Sequence, residues 1–282
     1  MHMDDYRVEK IPSPLNGVDV WKARIDVEPS KLDRLAALLS REERDLGAPS
    51  SRRSGYGKFI ATRGLLRVLL GTYLELEPAE IEFEYGDFGK PYLTSPDPAH
   101  DISFNLSHSG GLALVAVSRG RDVGIDVERL SYGKDLSALG EFSLTRNEWQ
   151  RWSAQPAAAQ SRLFYQFWVR KEAYLKGVGS GLTSPIHRVD VSNSNPLGNH
   201  LVTTPVSDGL ECPWKIYDLQ IPGSADVVAA LAIENADPVA AACAPGMEQK
   251  SASAGVRAGE GRIECPGTRS RNTSAVSRCN RI

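Results

Sequence analysis

The sequence at positions 124–128 is Gly-Ile-Asp-Val-Glu, a run that predicts a β-strand. Residues two apart on a strand point to the same side, so Asp126 and Glu128 present two carboxylates together. Adjacent carboxylates repel each other unless a cation joins them. Mg²⁺ prefers such hard oxygen ligands and completes its shell with water and substrate phosphates. The pair therefore predicts a divalent-metal site, although two solvated acids at a polar strand end would have the same sequence.

The sequence at positions 167–177 is FWVRKEAYLKG, which predicts the last turns of a long helix. On a helix Trp168, Glu172 and Lys176 share one face. Glu172 would then supply a third carboxylate to the metal or accept a proton from an attacking hydroxyl. Lys176 would neutralise a leaving phosphate one turn further on. The alternative is a surface Glu–Lys pair, which contributes only about 0.3–0.5 kcal/mol.

A third segment precedes these two and offers polar donors. The turn Gly-Lys-Pro at 89–91 is rigid enough to hold Lys90 beside a phosphate, and Asn-Leu-Ser-His-Ser at 105–109 places Ser107 and His108 at a strand end. A serine next to a histidine also suggests a nucleophile. No Gly-x-Ser-x-Gly elbow surrounds Ser107, so that interpretation is set aside.

The order of the predicted elements indicates an α+β protein with two similar halves. Apolar residues at helical spacing predict a long helix over about 52–74, and a second runs from Pro156 to about Lys176, ended by Gly177 or Gly179. Ser30 is the expected N-cap of a short first helix. Capping boxes are predicted at Ser40/Glu43 and Thr145/Glu148. The predicted strands lie near 21–27, 81–85, 102–106, 112–117, 123–127, 189–192, 214–219 and 227–233.

Composition and charge narrow the possible classes of protein. The chain of 282 residues has a formal net charge of −2, which gives no reason to expect nucleic-acid or membrane-surface binding. The first ten residues lack an apolar core and no long apolar run follows, so we expect no signal peptide, no membrane span and a cytoplasmic location. The four cysteines, at 212, 243, 265 and 279, show no metal-ligand spacing and are expected to be free thiols.

Together, the segments at 124–128 and 167–176 resemble the two defining motifs of the 4′-phosphopantetheinyl transferase superfamily. The Gly-Lys-Pro turn and the Asn-Leu-Ser-His-Ser run are similar to those of its larger, surfactin-type branch. The resemblance covers roughly 21–233. It implies a pseudodimer of two α+β halves, each a small antiparallel sheet packed on a long helix, with a ligand cleft between them. We expect an N-terminal half over 1–118, a C-terminal half over 119–246 and a disordered tail over 247–282.

The resemblance also implies the activity and its participants. Such an enzyme moves the 4′-phosphopantetheine group of coenzyme A to a serine of an apo acyl or peptidyl carrier protein and releases 3′,5′-ADP. Mg²⁺, or Mn²⁺ in its place, would be held by Asp126, Glu128 and Glu172. Glu172 would deprotonate the carrier serine, and Lys176 would stabilise the departing group. The residues expected to bind coenzyme A are Arg53, Lys58, Arg63, Lys90, Ser107, His108, Asp126 and Lys176. Because the halves are joined in one chain, a monomer is expected.

Three alternatives remain open at this point. The first is a non-catalytic coenzyme A or carrier-protein binding module of the same fold, which the filled acidic positions at Asp126, Glu128 and Glu172 disfavour. The second is a phosphatase of the haloacid-dehalogenase kind, which expects a second aspartate where this chain has Glu128. The third is an unrelated protein that matches these motifs by chance.

Overall fold

A computed structural model describes residues 3–47, 53–94, 101–132, 135–180, 185–194, 200–203 and 214–235. These residues belong to one compact unit, Met1–Cys243. The predicted tail over 247–282 and the four cysteines lie outside the described residues, and the domain boundaries stay a prediction. None of the helices within the described ranges is both long enough and apolar enough to span a membrane.

The first half contains three α-helices and six strands within the described residues. The helices are α1 (Pro29–Ala36), α2 (Arg41–Gly47) and α3 (Arg53–Leu74). The strands are β1 (Glu9–Ile11), β2 (Val18–Arg24), β3 (Phe83–Tyr85), β4 (Pro91–Leu93), β5 (Ile102–Ser109) and β6 (Leu112–Arg119). An antiparallel sheet has the order β1-β2-β6-β5, and β3 pairs with β4 in a separate hairpin.

The second half repeats this plan around a second long helix. Its helices are α4 (Ser137–Ser143), α5 (Arg146–Ser153) and α6 (Ala157–Val178). Its strands are β7 (Val123–Arg129), β8 (Asp190–Ser194), β9 (His200–Thr203), β10 (Trp214–Leu219) and β11 (Val227–Glu234). They form an antiparallel sheet of order β7-β11-β10-β9-β8. The α+β pseudodimer predicted from the sequence is confirmed.

The two sheets share one hydrophobic core cluster, which joins the halves. Val20 and Leu114 of the first sheet pack in the same cluster as Ile125 and Leu231 of the second, and all four side chains are fully buried. Each long helix covers its own sheet on the side away from this shared core, with α3 packed on the first sheet and α6 on the second. The halves are therefore held together by apolar burial, which favours association in proportion to the area removed from water.

Each half also buries one ion pair between its long helix and a short helix that precedes it. In the first half Arg67 of α3 contacts Glu43 of α2, with Nη2 and Oε2 2.8 Å apart. In the second half Lys171 of α6 contacts Glu148 of α5, with Nζ and Oε2 2.6 Å apart and both side chains fully buried. Both cations lie fourteen residues after the first residue of a 22-residue helix.

Both glutamates of these ion pairs also complete capping boxes, as predicted. The Ser40 and Thr145 N–H groups donate to Glu43 and Glu148 at 2.9 and 2.8 Å, and each glutamate N–H donates back to the hydroxyl at 3.2 Å. Removing one partner of a buried charge pair leaves the other charge unpaired, which typically costs about 3–5 kcal/mol. The same arrangement of cap, glutamate and buried cation therefore occurs in both halves.

Some element boundaries differ from the sequence expectations. The N-cap of α1 is Glu28, and Ser30 lies inside the helix, because Pro29 with its fixed φ takes the first helical position. Gly179, at φ 74°, ends α6 and donates its N–H to Leu175 O at 3.0 Å, which decides between the two glycines proposed. The short strands β1, β4 and β9 were not predicted, because three or four residues are too few to show an alternation.

Close contact between α6 and β7 depends on a glycine. A Cβ atom added to Gly124 of β7 would lie 2.8 Å from the Cα of Gly177 and closer still to the carbonyl oxygen of Ala173. Real Cβ atoms do not approach other heavy atoms this closely. The absence of a side chain at Gly124 therefore lets the helix backbone rest directly on the strand.

We expect Gly124→Ala to lower the free energy of unfolding by about 1–3 kcal/mol, because the added methyl group pushes α6 away from β7. Chemical denaturation followed by circular dichroism measures this change. Gly57→Ala on α3 is the matched control, since its Cβ would meet no atom closer than 3.5 Å. That variant should be as stable as the parent or more stable. Equal stability of the Gly124→Ala variant and the parent would contradict the proposed steric requirement.

Candidate active site

The carboxylate of Asp126 lies where β7 meets α6, and it is 4% exposed. Its Oδ1 contacts Lys176 Nζ at 2.7 Å and accepts a hydrogen bond from Ser107 Oγ at 2.7 Å. Lys176 Nζ also donates to Ser107 Oγ at 3.1 Å. The helix face predicted from the sequence is thus turned toward the acidic strand, and β5 contributes a hydroxyl group to the same place.

Two carboxylate oxygens at this place have no partner among the described residues. Asp126 Oδ2 and Glu172 Oε1 are buried without a hydrogen bond. A buried acceptor that lacks a partner costs about 1–3 kcal/mol, and more when it is charged. Within the described ranges, no group of three or more His, Cys, Asp and Glu side chains is arranged to hold a metal ion. Instead, the ammonium of Lys176 contacts Asp126. The two free oxygens nevertheless suit an added cation.

The charges of this cluster act on one another strongly. Burial, and then the charge of Asp126, raise the pKa of Glu128 to about 7. Burial and the charges of Asp126 and Glu128 likewise raise the pKa of Glu172 to about 7, although Lys176 opposes this. Burial alone would lower the pKa of Lys176, but the neighbouring carboxylates outweigh it and raise that pKa. Three acids and one lysine therefore form a single electrostatic unit with a deficit of positive charge.

Comparison with known proteins shows which family this chain belongs to. Residues 27–120 match a family model described as 4′-phosphopantetheinyl transferase, N-terminal, and residues 122–232 match the 4′-phosphopantetheinyl transferase superfamily. The 4′-phosphopantetheinyl transferase HetI of Nostoc sp. is 34% identical over 220 residues, which cover 77% of this chain and 87% of that protein. This chain belongs to the 4′-phosphopantetheinyl transferase superfamily.

Further relatives come from other groups of organisms. A 4′-phosphopantetheinyl transferase of Bacillus subtilis is 30% identical over 187 residues, covering 66% of this chain and 80% of that protein. A phosphopantetheinyl transferase of Thraustochytrium sp. is 32% identical over 189 residues, covering 62% of this chain and 65% of that protein. The predicted family is confirmed. This transferase uses coenzyme A as its substrate and transfers the phosphopantetheine group to carrier proteins.

Other residues that the sequence pointed to lie around the carboxylates of the transferase. His108 is partly buried, and burial, followed by the charges of Lys176 and Lys58, lowers its pKa. Because both lysines act on His108, these three basic groups lie within electrostatic reach of one another. This combination of donors and positive charge suits a phosphate group.

Two residues that were predicted to bind coenzyme A, Lys90 and Arg63, are buried and contact other residues of the transferase. Lys90 is buried, and its Nζ donates to Gly177 O at 2.7 Å, at the last turn of α6. The guanidinium of Arg63 is 4% exposed and lies between the rings of Phe59 and Tyr85, 5.7 and 5.6 Å from their centroids. Arg63 Nη1 has no hydrogen-bond partner among the described residues. Arg53 begins α3, but its side chain lies outside the described part of the chain.

One residue of the transferase site escaped the sequence analysis. Ser109 Oγ donates to Glu128 Oε2 at 2.8 Å. The available signal was the alternation along 105–109, which places Ser109 on the same side of β5 as Ser107 and opposite to His108. The alternation shows that Ser107 and Ser109 share a strand face, but it does not show that Ser109 contacts Glu128.

We expect the metal-free transferase to lose stability as the pH rises from about 4.5 to about 7. The folded-state pKa values of Glu128 and Glu172 exceed the ordinary value of 4.5, so folding takes up protons in this window and ionisation opposes it. Glu172→Gln removes one of the two ionising groups. Thermal unfolding in a chelator should show the variant about 2–4 °C more stable than the parent at pH 8, corresponding to about 1 kcal/mol.

At pH 4.5 the stabilisation by Glu172→Gln should disappear, because Glu172 is then protonated in the parent. Glu80→Gln, at an exposed position, is the control and should give no pH-dependent difference. A Glu172→Gln variant that is less stable than the parent at pH 8 would contradict the electrostatic picture.

Proposed function

We propose that Asp126, Glu128 and Glu172 together hold one divalent cation, Mg²⁺ or Mn²⁺, at the pyrophosphate of coenzyme A. The supporting observation is the pair of buried, unpartnered oxygens, Asp126 Oδ2 and Glu172 Oε1. Hard oxygen donors of this kind suit both metals. When bound, the cation neutralises charge on the pyrophosphate oxygens. The repulsion between these carboxylates, which together with burial raises the pKa values of Glu128 and Glu172, would be relieved at the same time.

Glu172 is the proposed acceptor of the proton from the carrier-protein serine, directly or through one water. Its carboxylate is carried by α6, within reach of the charge of Asp126. The carboxylate oxygen that does not hold the cation would take the proton. The nucleophile belongs to the carrier protein, so this chain needs to supply only a base, orientation and charge. Phosphoryl-group transfer depends mainly on those contributions.

Lys176 is the proposed partner of the departing 3′,5′-ADP. Its ammonium lies one turn beyond Glu172 and is held against Asp126 at 2.7 Å. A cation held in place before the reaction stabilises developing negative charge without reorganisation at the moment of bond breaking. The raised pKa keeps this amine protonated at neutral pH.

The remaining polar groups of the cleft are proposed to bind the coenzyme. Ser107 donates to Asp126, and the charges of Lys58 and Asp126 both act on His108. Arg63 offers a buried nitrogen without a partner among the described residues. The corresponding roles of Arg53 and Lys90 stay predictions, and Lys90 would have to release Gly177 O to contact a nucleotide. An apo acyl or peptidyl carrier is the proposed acceptor. The monomeric state, the absence of nucleic-acid and membrane partners and the cytoplasmic location also stay predictions.

Glu172→Gln should abolish transfer while the fold is retained, because an amide cannot take the serine proton. The assay incubates the full chain with apo carrier protein, coenzyme A and Mg²⁺ and records the carrier mass. The parent and the exposed-site control Glu80→Gln should both add one phosphopantetheine. Full transfer by the Glu172→Gln variant would remove Glu172 from the mechanism. If the parent bound coenzyme A without changing the carrier mass, the chain would be a binding module.

Arg63→Ala should weaken coenzyme A binding by about 10- to 100-fold, since one charge-assisted hydrogen bond contributes about 1.5–3 kcal/mol. Isothermal titration of coenzyme A into the folded variant measures the affinity. Arg34→Ala, at an exposed position of α1, is the control and should bind like the parent. Unchanged affinity in the Arg63→Ala variant would show that this arginine serves the packing of Phe59 and Tyr85 alone.

A further inference from the structure

Strands β5 and β7 are facing edges of the two sheets, and side chains bridge them. Among the described strands, the sheet orders place each of the two at an edge of its sheet. Three β7 backbone N–H groups, those of Ile125, Val127 and Arg129, are instead hydrogen-bonded to side chains of β5. Their acceptors are Asn105 Oδ1 at 2.9 Å, Ser107 Oγ at 3.3 Å and Ser109 Oγ at 3.1 Å, respectively.

Within the described part of the chain, the two serines of this bridge also contact an acidic side chain, which Asn105 does not. Ser107 Oγ donates to Asp126 Oδ1 at 2.7 Å, and Ser109 Oγ donates to Glu128 Oε2 at 2.8 Å. A hydroxyl group has one donor and two acceptor positions, so accepting from β7 is compatible with donating to a carboxylate. Each hydroxyl therefore connects the backbone of β7 to an acidic side chain of the same strand.

We propose that Ser109 is a positioning residue that orients Glu128 for cation binding. This inference rests on the proposed cation site. The backbone N–H of Arg129 fixes the hydroxyl oxygen, and its single proton then holds Glu128 Oε2. Without that contact, Glu128 would repel Asp126 and turn away from the other two acids. Groups that orient metal ligands in this way typically contribute 10–100-fold to metal affinity.

Strand β5 carries a matched control for this role. Ser103, on the same side of β5, donates its hydroxyl proton to Asp122 Oδ1 at 3.0 Å, an acid outside the proposed cation site. Ser103→Ala deletes the same group from the same strand without touching Glu128. Asn105→Ala removes a bridge to β7 that involves no carboxylate, so it reports the effect of the sheet contact alone.

The test is the affinity of the full chain for Mn²⁺ in saturating coenzyme A, measured by electron paramagnetic resonance, together with the free energy of unfolding. Ser109→Ala should weaken Mn²⁺ binding about ten-fold or more. Ser109→Thr, which restores a hydroxyl, should recover the affinity. Ser103→Ala and Asn105→Ala should keep Mn²⁺ affinity within about two-fold of the parent, even where Asn105→Ala lowers stability.

Parent-like Mn²⁺ affinity in Ser109→Ala would overturn the inference, as would an equal loss in Ser103→Ala. Failure of Ser109→Thr to recover affinity would also overturn it. Asp126→Asn separates this outcome from failure of the proposed function. If Asp126→Asn abolishes Mn²⁺ binding while Ser109→Ala has no effect, only the role of Ser109 is wrong. If Asp126→Asn also binds like the parent, the cation site itself is wrong.

Discussion

The packing of α6 directly on β7 is the contact on which the proposed chemistry depends. Gly124 has no side chain, so the helix backbone at Ala173 and Gly177 rests against the strand. Lys176 thereby contacts Asp126 of the same strand. Burial and neighbouring carboxylates raise the pKa values of Glu128 and Glu172, and the carboxylates raise the pKa of Lys176 against the effect of burial. A larger residue at this position would separate the base and the lysine from the other acids. One steric requirement therefore couples the fold to the site.

The two halves share a scaffold but differ in what their long helices carry, and the acidic cluster involves the long helix of the second half. Arg67 and Lys171 occupy the same position in their helices and pair with capping-box glutamates in the same way. The residues that follow them differ. The position corresponding to Glu172 is Val68, which packs in the core of the first half. The two halves therefore have the same arrangement of long helix, capping box and buried ion pair, but the proposed base lies in the second half.

The acidic cluster opposes folding when no cation is bound. Burial and mutual repulsion disfavour the ionised forms of Glu128 and Glu172, so burial of the apolar core must offset that cost. Lys176 and the hydroxyl groups of β5 compensate in part, because they supply one positive charge and two donors. Functional sites commonly concentrate such locally unfavourable arrangements, which a bound ligand then relieves.

The sequence by itself determined the local features of this protein. Alternation and helical spacing placed Asp126 and Glu128 on one strand face and Glu172 and Lys176 on one helix face, and the capping boxes followed from short-range hydrogen bonding. Only the tertiary structure decided that these faces meet, that Lys90 lies on the end of α6, and that Ser109 holds Glu128. Those contacts join residues far apart in the chain, and their geometry depends on packing between sheets and helices, which a one-dimensional pattern does not specify.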